Sequence, residues 1–251
     1  LLDGDAEEHV TRVPPRLAAS DTQDAYARKI CGALSDREGV EVSEQDANAR
    51  YVREAIVEPD EIARARAHAV ELGAQPISAA VGAQIALLAA ASDARSIVEI
   101  GTGAGVSGLW LLRGAPKAVL TSIDNEPEHL AAARSAFQDA RIAPTRARFI
   151  AGRAADVLPR MNEAAYDIVL VDADPENVIE YVEHGLRLVR AGGTVLVPRV
   201  LAGGRVADPV QRDDVTVAYR SLIQETQQSP AVLAALNTAG EGLLQLTGVS
   251  V

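Results

Sequence analysis

Carboxylates that close short apolar runs are the residues of this chain best placed to do chemistry. They are Glu99 in Ile97-Val98-Glu99-Ile100, Asp124 after Val119–Ile123, and Asp172 after Asp167–Val171. The first run continues into Gly101-Thr102-Gly103-Ala104-Gly105-Val106-Ser107-Gly108. Glycines there permit a tight turn and let a ligand approach the backbone, and free N–H groups at the start of a following helix bind polar or anionic groups. This pattern implies a small-molecule cofactor site.

Two cofactors fit the loop. Gly103-x-Gly105-x-x-Gly108 matches the dinucleotide fingerprint, with Asp124 about 20 residues further on to hold a ribose. The same loop fits S-adenosylmethionine, with Gly101, Gly103 and Gly105 following the acidic Glu99 and with Asp124 again on the ribose. Strand ends in an open α/β sheet converge on one crevice, so Asp172 is expected to face the same pocket. A carboxylate there attracts the ammonium and sulfonium of S-adenosylmethionine and repels a pyrophosphate. The second cofactor is therefore favoured, and a nicotinamide enzyme is the lesser alternative.

These residues need strands and helices in alternation. Strands are expected at Ser96–Ile100, Val119–Ile123, Arg148–Ala151, Asp167–Val171 and Thr194–Val197, rich in Val, Ile and Leu as in a sheet covered on both faces. Helices are expected near 107–113, 127–140, 153–161, 175–190 and 209–227, the fourth opened by Asp174-Pro175 and closed by Gly192-Gly193. Ahead of them, Asp60 is read as the cap of a helix through Leu72, and a second helix follows Pro76 with Ile77, Val81, Ile85 and Leu88 on one face. Val232–Leu236 and Leu243–Thr247 flank a glycine-containing turn and read as an antiparallel hairpin.

The chain's 251 residues suit one main domain with an accessory segment. Residues 1–58 read as an acidic, partly ordered extension and 59–251 as the catalytic domain. Residues 1–60 carry 14 Asp/Glu against 7 Lys/Arg, a large share of the net charge of −11. That charge opposes nucleic acid and anionic membranes, so neither is expected as a partner. The single cysteine, Cys31, allows no internal disulfide, and Leu1–Val10 lacks the basic start of a secretion signal, so a cytoplasmic location is expected.

With these motifs assembled, residues from about 60 onward resemble the bacterial O-methyltransferases related to the catechol and caffeoyl-coenzyme A O-methyltransferases, most closely the actinobacterial members. The shared signature is Glu99 to Ser107, Ile123-Asp124, Gly152-Arg153-Ala154 and Val171-Asp172-Ala173-Asp174. The resemblance implies a Rossmann-like class I methyltransferase fold, with a seven-stranded, mostly parallel sheet ending in an antiparallel hairpin and helices on both faces. It implies S-adenosylmethionine as methyl donor, S-adenosylhomocysteine as product, a small-molecule acceptor and a homodimer. By position, Glu99, Gly101, Thr102, Gly103 and Ser107 would hold the methionine part, with the backbone near Ile77 closing over it. Asp124 would bind the ribose, Asn125 and Ala154 would flank the adenine, and Asp172 would meet the amino group.

The catalytic positions depart from the family. Its Asp-Asn pair after the fifth strand, which joins the fourth-strand aspartate around a divalent metal, is here Pro198-Arg199, and its lysine beside the acceptor falls on Pro175. Proline has no side-chain ligand and arginine brings a positive charge, so a divalent metal is not expected. A phenol-like hydroxyl of pKa near 10 is only about 0.1% ionised at pH 7, and making its anion costs about 4 kcal/mol. Arg199 is expected to pair with Asp172 and to substitute in part for the metal, which makes these two the candidate catalytic residues. The alternative is a methyltransferase-fold protein that binds the cofactor and serves as an interaction subunit. Arg205, in the loop after the fifth strand, is placed to meet an anionic acceptor. Of His9, His68, His129 and His184 none is read as catalytic, the last three falling within helices with no paired acid by spacing; Trp110 reads as core, and Asp174 and Glu176 read as helix caps, with proton acceptance as the alternative.

Overall fold

Short runs of Val, Ile and Leu bounded by turns have no amphipathic stripe to bury as isolated helices, and they pair into one sheet instead. The structure is a computed structural model that describes residues 44–249. Its strands are β1 (Ser96–Ile100), β2 (Val119–Asp124), β3 (Ala147–Ala151), β4 (Tyr166–Val171), β5 (Val189–Pro198), β6 (Val232–Asn237) and β7 (Leu243–Gly248). They lie in the order β3-β2-β1-β4-β5-β7-β6, parallel except at β7, which is antiparallel to both β5 and β6. The chain order reverses between β1 and β4, the place where open α/β sheets bind ligands. The expected class I methyltransferase architecture, with its antiparallel C-terminal hairpin, is present.

Helices follow as α1 (Glu44–Ala55), α2 (Asp60–Glu71), α3 (Ala79–Ala91), α4 (Val106–Gly114), α5 (Pro127–Asp139), α6 (Ala154–Val157), α7 (Val178–Leu188) and α8 (Asp214–Gln228). Alternation along each strand divides the core in two. Ile97, Leu120, Ile168 and Leu196 pack with Ile62, Ile85 and Trp110 from α2, α3 and α4. Val98, Ile123, Val169 and Val195 pack on the other face with Val182 of α7 and Tyr219 and Leu222 of α8. Trp110 is core, as expected, and its indole N–H donates to Glu58 at 3.3 Å.

Several boundaries differ from the sequence reading. Gly192-Gly193 do not end the fourth expected helix; α7 stops at Leu188, and both glycines lie inside β5. Arg190, also in β5, donates from Nε to Asp167 at 2.6 Å and ties the early part of this strand to β4. Asp60 does not cap α2: Pro59 precedes the helix, and no side chain caps it. The expected partial order of residues 1–58 falls largely outside the described residues, as do His9 and Cys31, although α1 lies at the end of that segment.

Candidate active site

The β1–α4 turn needs backbone conformations that favour glycine. Gly101 has φ +90°, and a Cβ on it would stand 2.2 Å from the carbonyl oxygen of Asp172, so β1 and β4 end in direct contact. Gly103 has φ +49°, with nothing within 4 Å of where a Cβ would be. That open space belongs to a cavity of about 400 Å³, whose lining includes Gly101, Gly103, Asp124, Gly152, Asp172 and Arg199. Its size is within the range of small-molecule sites.

Asp124 organises the loop. Its Oδ2 accepts the N–H groups of Thr102 and Gly103, each at 2.9 Å, and its Oδ1 accepts the N–H of Glu126 at 2.9 Å. Asn125 and Ala154 line the cavity beside it, and so does His129 in the first turn of α5, with Nδ1 3.6 Å from Asp124 Oδ1. Ser107 lines it from α4.

Glu99 is elsewhere. It shares the strand face of Ile97, beneath the start of α4, and is completely buried. Its Oε1 accepts the Ser107 hydroxyl and its Oε2 the Ser122 hydroxyl, both at 2.5 Å, while Ser122 also meets the Thr102 hydroxyl at 2.6 Å. Burial is the main reason its pKa rises to about 7; the two hydroxyls oppose the rise, and Asp172 and Asp124 add to it. Glu99 therefore sits behind the loop and does not line the cavity, and the Thr102 hydroxyl turns inward with it.

Ile77 itself is not among the residues that line the cavity, although those just before it are. Its side chain is buried in the core, and its carbonyl accepts Arg66 Nη1 at 2.6 Å, while Arg66 also grips Glu58 through two bonds of 2.7 Å. The segment over the cavity is instead Ala74, Gln75 and Pro76.

Arg199 and Asp172 do come together. A guanidinium nitrogen of Arg199, Nη2, donates to Asp172 Oδ1, and Nη1 donates to the Gln75 carbonyl at 2.9 Å. The Asp172 side chain is 9% exposed and that of Arg199 24%. Burial pushes the Asp172 carboxyl up, and the guanidinium pulls it back in part. Burial disfavours charge on Arg199, but Asp172, with Tyr219 and Glu241 adding to it, more than offsets this and holds its pKa above the ordinary value. Pro198 is buried at the end of β5, paired with Leu243 of β7. Among the described residues no three His, Cys, Asp or Glu side chains gather as a metal-binding group.

Asp174 stands at the N-cap of the short turn Pro175–Asn177, but its side chain caps no backbone N–H and accepts instead from the Asn177 amide and from the Tyr181 hydroxyl, the latter at 3.1 Å. Asn177 and Tyr181 line the cavity and were not singled out by sequence reasoning. His129 has no paired acid by sequence spacing; the signal for it is its place in the first turn of the helix after a strand-end aspartate. Past Arg199 a second cavity, about 430 Å³, is bounded by Gln75, Arg199, Arg205, Tyr219 and Glu241 among others.

The O-methyltransferase family profile matches residues 53–247. The chain belongs to the O-methyltransferase family. A protein of Mycobacteroides abscessus, provisionally named an O-methyltransferase, is 44% identical over 203 residues, which is 80% of this chain and 94% of that protein. A similarly named protein of Mycobacterium tuberculosis is 47% identical over 184 residues, 73% of this chain and 82% of its own length. Among solved structures, the O-methyltransferase TomG of Streptomyces achromogenes, involved in tomaymycin synthesis and crystallised with S-adenosylmethionine, superposes with a TM-score of 0.73 at 29% identity, covering 83% of this chain and 100% of TomG. An O-methyltransferase of Bacillus cereus in complex with S-adenosylhomocysteine gives 0.72 at 26% identity, covering 81% of this chain and 97% of that one.

Proposed function

We propose that this O-methyltransferase moves the methyl group of S-adenosylmethionine to a hydroxyl of a small molecule without a divalent metal. The observation that carries the reading is the Arg199–Asp172 ion pair beside the buried Pro198: the aspartate that would ligate a metal is held by a fixed cation. The donor set of the first cavity fits S-adenosylmethionine. Carboxylates of Asp124 and Asp172 suit a ribose diol and a cationic amino group, Ile100 and Ile123 offer apolar surface, and the backbone at Gly103 leaves open space.

The sulfonium supplies an activated methyl carbon. The chain's residues position it: the Gly101–Gly103 backbone and Ser107 beside the methionine part, Asp124 at the ribose, Asn125 and Ala154 at the adenine. Arg199, on the wall of both cavities, places positive charge where the acceptor oxygen must be anionic. Holding both reactants in line contributes much of the rate. The wider reading has residues 59–251 as the catalytic domain, the single cysteine being in keeping with a cytoplasmic location and the family likeness with a homodimer.

The test is a calorimetric titration with S-adenosylhomocysteine, with magnesium and with chelator, joined to mass-spectrometric detection of methylated acceptors. Micromolar binding and turnover, both indifferent to metal, are expected. Binding or turnover that requires magnesium overturns the metal-free reading. Binding with no turnover across an acceptor panel favours an interaction subunit instead.

A further inference from the structure

The second cavity brings together residues from the loop after β5, from α8 and from the β6–β7 turn: Arg199 and Arg205, Tyr219, and Glu241. Arg205 is fixed on its outer side, with Nε donating to the Ala202 carbonyl at 3.0 Å and Nη1 to Asp213 at 3.3 Å. Arg199 is fixed on its inner side by Asp172 and Gln75. A guanidinium has more N–H donors than these bonds use, so each arginine retains donors while its orientation is set. Tyr219, a largely buried residue of the same wall, adds a hydroxyl. Two oriented guanidinium groups and a phenol form a donor set matched to an oxygen anion, with Glu241 the opposing carboxylate on the same wall, two cations against one anion among the cavity's own lining.

From this arrangement we infer that the acceptor is an oxygen acid already ionised at neutral pH, either a carboxylic acid or an acidic enol or phenol, which the cavity receives as its anion through Arg199, Arg205 and Tyr219. The inference rests on the methyl-transfer reading above. The acceptor oxygen forms the new bond to the methyl carbon, and the carbon–sulfur bond breaks with its electron pair staying on sulfur. No proton has to leave. Asp172 is bound to Arg199, and Tyr219 is kept protonated because burial pushes its pKa above 10, the nearby carboxylates adding to this and Arg199 opposing it. Neither is suited to removing a proton, and Glu241, the carboxylate of this cavity's lining, is an exposed residue. An ordinary phenol is ionised about one part in a thousand at pH 7, so an acceptor that arrives ionised gains up to about a thousandfold in reactive form.

The test uses the full chain saturated with S-adenosylhomocysteine and compares matched probes by calorimetry or ligand-observed NMR: benzoate against benzamide, and an ionised nitrophenol against phenol. Each anion is expected to bind at least about tenfold more tightly than its neutral partner. The preference should fall by about tenfold in Arg205→Gln, a change at an exposed position, and again in Arg199→Gln if that variant folds. With S-adenosylmethionine, turnover should rise from phenol to nitrophenol. Equal binding of anion and neutral probe, anion binding unchanged in Arg205→Gln, no anion binding by a protein that does bind S-adenosylhomocysteine, or faster turnover of catechol than of the acidic probes overturns the inference. If S-adenosylhomocysteine itself fails to bind, the methyl-transfer reading falls, and the anion preference is then measured on the protein alone.

Discussion

Glu99 and Asp172 stand at the ends of adjacent strands, both withdrawn from water, yet the fold compensates them differently. Glu99 has two serine hydroxyls and no cation, and its pKa rises to about 7. Asp172 has a guanidinium. Burial penalises a lone carboxylate strongly, and neutral hydrogen bonds repay only part of it. With its pKa near 7 the first carboxyl is driven toward its protonated form, whereas the second, which burial also pushes up, is countered in part by a partner of opposite charge. Glu99 is thus a polar brace behind the glycine loop, while Asp172 and Arg199 form a fixed dipole on the cavity wall.

The comparison breaks most visibly at Arg199. Arg199→Met strips Asp172 of its cation and is expected to cost about 3 kcal/mol in urea unfolding, the lower end for breaking a buried pair because Arg199 is partly exposed. Adding Asp172→Asn should recover most of that loss, since no buried charge is then left unpaired. Methyl transfer should not recover with it. If the double variant is no more stable than Arg199→Met, the pair is not what holds this part of the fold.

Glu99 should behave in the opposite way. Its carboxyl binds a proton more tightly in the folded state, at a pKa of about 7, than at its ordinary value of 4.5, so the folded state is favoured at low pH. Stability from this group is fully present below pH 4.5 and is lost as pH rises through 7. At about 1.36 kcal/mol per unit, the difference is about 3 kcal/mol. Glu99→Gln keeps an acceptor for a serine without the charge, so it should raise unfolding free energy at pH 8 by up to that amount and leave it nearly unchanged at pH 4. A variant less stable than the parent at pH 8 would mean that the ionised form is the one the fold requires.

How far the sequence revealed these differences depends on whether partners are near in sequence. β1 was legible to the residue, because Ser96-Ile97-Val98-Glu99-Ile100 runs directly into a glycine turn. The start of β5 was not: glycines usually end helices, but Gly192-Gly193 lie within a strand tied to β4 through Arg190 and Asp167. The cofactor side of the site follows strand ends and could be read. The second cavity joins Arg205, whose loop position alone was readable, with Tyr219 and Glu241 from separate elements, a meeting no local spacing encodes. Ile77, next to the cavity-lining Pro76, turns its own side chain into the core, where a large apolar group gains more than over a polar site.

Asp124 extends the comparison to a third strand end and a third kind of compensation, backbone N–H groups. Asp124→Asn keeps only one oxygen, so it can hold either the loop pair, Thr102 and Gly103, or Glu126. Loss of a charged acceptor at such bonds costs about 1.5 to 3 kcal/mol. S-adenosylhomocysteine should bind about tenfold to a hundredfold more weakly in a calorimetric titration, with a smaller drop in stability because the loop is at the surface of the cavity.

The smallest effect on folding, and the sharpest test of what the loop is for, is expected at Gly103. An alanine there has room, since nothing lies within 4 Å of the new Cβ, and its penalty is confined to the left-handed backbone at φ +49°. That costs about 1 kcal/mol of stability. The added methyl stands in the open space of the first cavity, where the bound cofactor would have to displace or avoid it. Gly103→Ala should therefore shift the urea midpoint only slightly and weaken S-adenosylhomocysteine binding well beyond tenfold. If binding falls no more than stability does, the glycine serves only the turn, and the cavity beside it is not where the methyl donor sits.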